Sequence, residues 1–177
     1  MVTEPASAQY QSGMAEVHLN CRRYDEALTE FEKAFTLGRD SVNVYWNLGE
    51  TYFHQGQFQK ALAMYGKTGQ PPPGWARVAL GSRTEALAQI RALQGQWARG
   101  TVKGWNVWLL ARLYTSLGQP VEAITWLERA YEERAGIMVY LNVEPHFDPL
   151  RGQPRFQALL RKTGFANLTG FSLPRPR

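Results

Sequence analysis

Few residues in this sequence have the types and spacing that chemistry requires. Glu144, His146 and Asp148 place three potential metal ligands within one short stretch, and carboxylate and imidazole groups bind divalent ions. Prolines separate them and no fourth ligand is nearby. A turn in which Asp148 caps the chain before Pro149 explains the same residues. We therefore predict no metal site here.

Signatures of catalysis are also missing. Lys162, Thr163 and Gly164 match a motif of penicillin-binding enzymes, but no serine in the chain is followed three residues later by lysine, so the partner motif is lacking. The sequence has no glycine-rich phosphate loop and no paired-histidine zinc motif. The single cysteine, Cys21, is interpreted as a small hydrophobe at a helix end. We predict a non-enzymatic protein without a cofactor.

Composition excludes several further classes. The 177 residues are 44% hydrophobic and 12% aromatic, which excludes a disordered chain. The net charge is +5, and it arises in the second part: residues 1–73 hold 6 basic against 8 acidic residues, and residues 74–177 hold 14 against 7. These basic residues are scattered singly, with only Arg161 and Lys162 adjacent, which disfavours a nucleic-acid track. One cysteine and the lack of a long apolar run favour a cytoplasmic location without a membrane span.

The elements that must position any site repeat along the chain. Ala27 and Ala61 occupy matching places 34 residues apart, in RYDEALTEFEKAF and QFQKALAMYGKTG. The pattern returns in RTEALAQIRAL and PVEAITWLERAY, after spacings of 25 and 37 residues. Apolar residues fall at i, i+1, i+4 and i+7, which predicts helices. Apolar segments that end at Gly56 and Gly118 precede the second and fourth copies, so each repeat is predicted as helix, tight turn, helix.

This pattern resembles that of tetratricopeptide repeat proteins. The second copy carries it almost in full, in Tyr45, Leu48, Gly49, Tyr52, Ala61, Tyr65 and Pro73. The resemblance implies an all-α, helical-hairpin solenoid with about four repeats, over 8–41, 42–73, 74–100 and 104–135. The third repeat is truncated, because its spacing leaves only PGWARVAL for a first helix. The prolines before it predict a bend or break between repeats two and three.

A second resemblance concerns residues 131–165. They are similar to the C-terminal end of tetratricopeptide modules in bacterial multidomain regulators, behind winged-helix, serine/threonine kinase or adenylate cyclase domains. We interpret 136–165 as a C-terminal cap over the last repeat, with Phe156, Leu159 and Leu160 on one side of a final helix. Residues 1–7 and 166–177 are expected to be flexible ends.

In such arrays the first helices line a groove that binds partners. Packing positions are excluded first, and the remaining positions are predicted to face this groove. In repeat one these are Gln9, Ser12, Glu16, Leu19 and Asn20. In the later repeats they are Asn43, Trp46, Asn47, Glu50, Phe53, His54, Trp75, Val78, Trp105, Trp108, Arg112 and Thr115. Each tryptophan has packing between helices as its alternative, the commoner role.

The leading hypothesis is a protein-protein interaction module that binds a peptide or protein in this groove, in a bacterial signalling or transcription regulator. The alternative is self-association into a homodimer through exposed aromatic residues around the broken third repeat. Direct nucleic-acid binding by the basic C-terminal part is a third and weaker hypothesis, since no recognition motif is present.

Overall fold

The computed structural model of the protein describes residues 5–38, 41–101 and 104–164, which are all-α. They divide into two compact units at Ala76 and Arg77. The first unit contains α1 (Pro5–Asn20), α2 (Tyr24–Thr36), α3 (Val42–His54) and α4 (Phe58–Gly66). The boundary between the units falls inside α5 (Gly74–Val78), whose five residues form the short helix predicted from the reduced spacing.

The second unit contains the remaining elements. They are α6 (Thr84–Ala98), α7 (Trp105–Ser116), α8 (Pro120–Glu132), the 3₁₀ helices η1 (Gly136–Tyr140) and η2 (Pro145–Leu150), and α9 (Pro154–Lys162). Pro120, Pro145 and Pro154 each stand in the first turn of their helix, where a missing amide N–H costs nothing. No helix within the described residues is long and apolar enough to cross a membrane.

Antiparallel hairpins form the first unit, and small residues allow its helices to approach closely. Ala15 and Ala27 lie fully buried between α1 and α2, and Phe31, Val44 and Leu48 join them in one core. Gly49 marks the tightest contact. A Cβ atom there would lie 2.6 Å from the ring of Tyr65, so α3 and α4 can pack this closely only around glycine.

The turns inside the hairpins use the left-handed backbone conformation. Gly56 and Gly118 have φ of +76° and +72°, as the sequence predicts for glycines that end a helix. One repeat earlier, the position equivalent to Gly56 is Arg22, which has a φ of 60°. An arginine is strained there, because its Cβ approaches the following carbonyl oxygen.

Alanine at Gly56 is expected to lower the free energy of unfolding by about 1 kcal/mol, since no atom lies within 4 Å of the new Cβ and only backbone strain is added. Glycine at Arg22 is expected to raise the free energy of unfolding by about 0.5 kcal/mol, because the relief of backbone strain exceeds the conformational entropy that glycine loses on folding. Thermal unfolding of both variants measures this. A stabilising G56A or a clearly destabilising R22G would contradict the account.

The C-terminal segment packs onto α7 and α8. Phe156, Leu159 and Leu160 of α9 are all buried. Arg155 donates hydrogen bonds of 2.9 and 2.5 Å to the two carboxylate oxygens of Glu128 on α8. The segment 136–162 thus contributes both apolar and charged contacts to the second unit.

Candidate functional site

One exposed polar surface lies on the first helices of the first unit. We call it the amide strip: Gln9 and Glu16 from α1, and Asn43 and Asn47 from α3. Gln9, Glu16 and Asn43 are exposed, and Asn47 is half-buried. The Nδ2 atom of Asn47 donates a 2.8 Å hydrogen bond to Oε1 of Glu16. The strip therefore joins the two repeats through side chains that also face solvent.

The charge of this surface is distinctive. Neither α1 nor α3 contains a lysine or an arginine, and their carboxylates are Glu16 and Glu50. The lysines of the first unit that lie in described helices belong to α2 and α4. Carboxylate and amide groups on two helices without lysine or arginine favour positively charged ligands.

Trp46 borders the amide strip and is half-buried. Its ring meets Tyr65 edge-on with centroids 5.2 Å apart, and meets Trp75 edge-on at 6.0 Å. Two aromatic neighbours fix its orientation, so a ligand would find a rigid apolar edge. Trp75 itself is only 1% exposed. It supports Trp46 and does not offer a surface of its own, which corrects its predicted place in the groove.

The remaining predicted positions of α3 differ in how far their side chains are exposed to solvent. Phe53 and His54 are half-buried, and the His54 ring stacks on Tyr24 at 6.0 Å and meets Phe53 at 5.2 Å. Glu50 is buried, and its carboxylate accepts a 2.6 Å hydrogen bond from the hydroxyl of Tyr65. Its predicted place on an open surface is therefore corrected, because the side chain is buried and bonded to Tyr65.

In repeat one the spacing argument places two residues on the wrong side. Ser12 and Leu19 are buried, and Leu19 belongs to the core that contains Phe31. Both lie on the side of α1 that packs inward. Gln9 and Glu16 remain exposed, as the prediction requires, and Asn20 is half-buried.

The second unit differs from the expectation more strongly. Trp105 is 46% exposed, but Trp108 is fully buried. The Trp108 ring packs edge-on against Phe147 with centroids 4.8 Å apart. Phe147 belongs to η2, which lies on α7. The face of α7 that the spacing assigns to a groove is thus covered by a segment of the same chain.

Arg112 is buried on the same face. Its Nη2 atom lies 2.5 Å from Oε2 of Glu144, and its guanidinium group lies 5.8 Å from the centre of the Trp105 ring. The other carboxylate oxygen of Glu144 accepts the backbone N–H of His146 at 3.2 Å, which caps η2. The capping residue is therefore Glu144 and not Asp148, which pairs with Arg151 at 2.7 Å.

Sequence reasoning missed Glu144 and Phe147 as partners of α7. The sequence contains only a weak signal for this contact: EPHFDPL combines a carboxylate, an aromatic ring and two prolines. Prolines favour short, extended or turn structures that a neighbouring surface must stabilise.

Two family models of the tetratricopeptide repeat match the chain, one over residues 6–68 and the other over residues 109–136. Together with the helical hairpins described above, these matches show that the chain belongs to the tetratricopeptide repeat proteins. Comparisons with curated proteins and with solved structures gave no match. Tetratricopeptide repeats generally mediate protein-protein interactions, and the family typically serves as a non-catalytic scaffold.

Proposed function

We propose that the amide strip of the first unit binds an extended peptide segment of a partner protein, and that this segment carries a lysine or arginine side chain. The observation that carries the proposal is the pairing of Asn47 with exposed Glu16 on a surface whose two helices lack lysine and arginine. A carboxylate beside amide groups can bind a cation and form hydrogen bonds with a polypeptide backbone.

Three groups of the strip and the bordering Trp46 have a part in this binding. The Glu16 carboxylate accepts charge-assisted hydrogen bonds from an ammonium or guanidinium group. The amides of Asn43 and Asn47 can donate to and accept from a peptide backbone at the same time. They stand four residues apart on α3 and thus on one helix face. Trp46 supplies the rigid aromatic edge on which an apolar neighbour of the cation can rest.

The wider context follows from the second resemblance. Residues 131–165 are similar to the end of tetratricopeptide modules in bacterial regulators, which supports a docking role within a signalling or transcription regulator. The partner would then be another component of that regulator, recognised through a basic peptide segment.

Arrays of short synthetic peptides test the charge preference directly. We expect the purified protein to retain peptides with lysine or arginine at one position over matched peptides with glutamate there, by about tenfold, the value of one charge-assisted hydrogen bond. Glu16→Lys should remove or reverse this preference, and Asn47→Ala should weaken retention of all peptides.

Glu32→Lys is the matched control, because Glu32 is an exposed glutamate on α2, outside the amide strip. It makes the same charge change and should leave the preference intact. Equal retention of basic and acidic peptides by the unmodified protein would refute the proposal, as would an equal effect of the two glutamate variants.

A further inference from the structure

A cavity of about 510 Å³ lies in the second unit, where the ends of α8 and α9 meet η1. Six of the residues that line it are Tyr131, Glu132, Arg134, Ala135, Met138 and Val139. The hydroxyl group of Tyr131 donates a 3.2 Å hydrogen bond to the backbone carbonyl of Lys162, which holds the ends of α8 and α9 together. The volume is in the range of protein sites that bind ligands.

The lining of this cavity favours an apolar, uncharged occupant. Ala135, Met138 and Val139 contribute only apolar side chains. Val139 is 54% exposed, and a large hydrophobic side chain exposed beside a cavity marks a surface that another group covers. Glu132 and Arg134 carry opposite charges, so the lining has no net charge. A charged peptide would therefore gain little from electrostatic complementarity here.

The described chain ends beside this cavity. Thr163 lines it, and Gly164 is the last residue that the structure describes. Gly164 has a φ of +76°, so α9 ends there and the following residues leave the helix axis. Residues 165–177 lie outside the described part of the chain. They begin with FANLTGF, residues 165–171, which contains no charged residue and has an apolar side chain at every third position.

We propose that residues 165–171 pack over this cavity and cover it with Phe165, Leu168 and Phe171. Side chains three residues apart lie on one side of a helical turn and also of a polyproline II segment, so all three can face the same surface. The segment starts two residues after Thr163 in the cavity wall. Its seven residues reach at most about 25 Å when fully extended, which is enough to cross the opening.

The chain's own segment has an advantage over a separate molecule at this cavity. Because it is covalently attached to the wall, its binding does not cost the translational and rotational freedom that a free partner loses. The proposal gives residues 166–171 a docked position in place of the flexible end expected from the sequence. It does not depend on the peptide site proposed above, which lies in the first unit.

Disulfide formation within one chain tests the position of the segment. In a Cys21→Ser background under mild oxidation, we expect the pair Val139→Cys and Leu168→Cys to form this bond about tenfold faster than the pair Val121→Cys and Leu168→Cys. Val121 is the matched control, because it is 62% exposed and lies at the end of α8 opposite the cavity. Equal rates for the two pairs would overturn the proposal. Disulfides that join two chains instead of closing one would also overturn it, and would assign the cavity to a second copy.

Two substitutions inside the segment test whether its apolar side chains hold it in place. Phe171→Ser should slow formation of the disulfide between positions 139 and 168 by about fivefold, because it removes one of the covering side chains. Thr169→Ser is the matched control between the apolar positions and should leave the rate unchanged. An equal effect of the two changes would contradict the proposal. Circular dichroism of each variant shows whether the helical content is retained, so a slower rate can be separated from loss of fold.

Discussion

Alanine at Trp108 is expected to lower the free energy of unfolding by about 3–5 kcal/mol, the usual cost of removing a buried aromatic side chain. Trp108 has no exposed surface, and it packs against Phe147, which in turn lies 6.3 Å from the ring of Phe156. Its loss would open a cavity between α7 and the C-terminal segment. Urea unfolding followed by far-ultraviolet circular dichroism measures the change.

Two further substitutions sharpen this experiment. Trp105→Ala, at a residue that is 46% exposed, should cost less than about 1 kcal/mol. Trp108→Phe should cost at most about 1.5 kcal/mol, because no described residue accepts a hydrogen bond from the buried indole Nε1 and phenylalanine removes this unpaired donor. If alanine at Trp108 were tolerated as well as at Trp105, η2 would not cover α7 as described.

Breaking the buried pair of Arg112 and Glu144 is the second substitution with a large expected effect. Arg112→Met should lower the free energy of unfolding by about 3–5 kcal/mol, because it leaves a buried carboxylate without its cation. The two side chains are both 8% exposed and only 2.5 Å apart, so water cannot replace the lost partner.

The double variant Arg112→Met/Glu144→Gln separates this effect from simple loss of packing. Glutamine keeps an oxygen that can accept the N–H of His146 and cap η2, but it carries no charge. The double variant should therefore be more stable than Arg112→Met alone, with a coupling of about 1–3 kcal/mol in the cycle. Additive effects of the two single changes would show that the ion pair contributes no coupling.

Much of the fold follows from the sequence because its signals are local. The spacing of alanines and larger apolar residues fixes the helical hairpins, and Gly56 and Gly118 mark their turns. The accessibility of Asn43 and the partial accessibility of Asn47 on α3 were also predictable, since both residues fall outside the packing positions of a well-conforming repeat.

The face of α7 could not be predicted in the same way. Trp46 and Trp108 occupy equivalent positions in their repeats, yet the first borders an exposed strip and the second is buried. The difference comes from η2, which returns to α7 from more than thirty residues along the chain. Spacing within a repeat contains no information on such a distant contact. The strained turn at Arg22 was missed for a different reason, because nothing in an arginine indicates a left-handed backbone.

The segment that covers α7 acts as a tethered competitor. Because Glu144 and Phe147 belong to the same chain as Trp108 and Arg112, their effective concentration at this face is in the millimolar range or above. Any outside molecule that binds the face must first displace them, so its apparent affinity is reduced by the small fraction of chains in which the face is open. The two repeat surfaces of this protein therefore differ in accessibility: the amide strip faces solvent, and the face of α7 opens only to a ligand that outcompetes the chain's own segment.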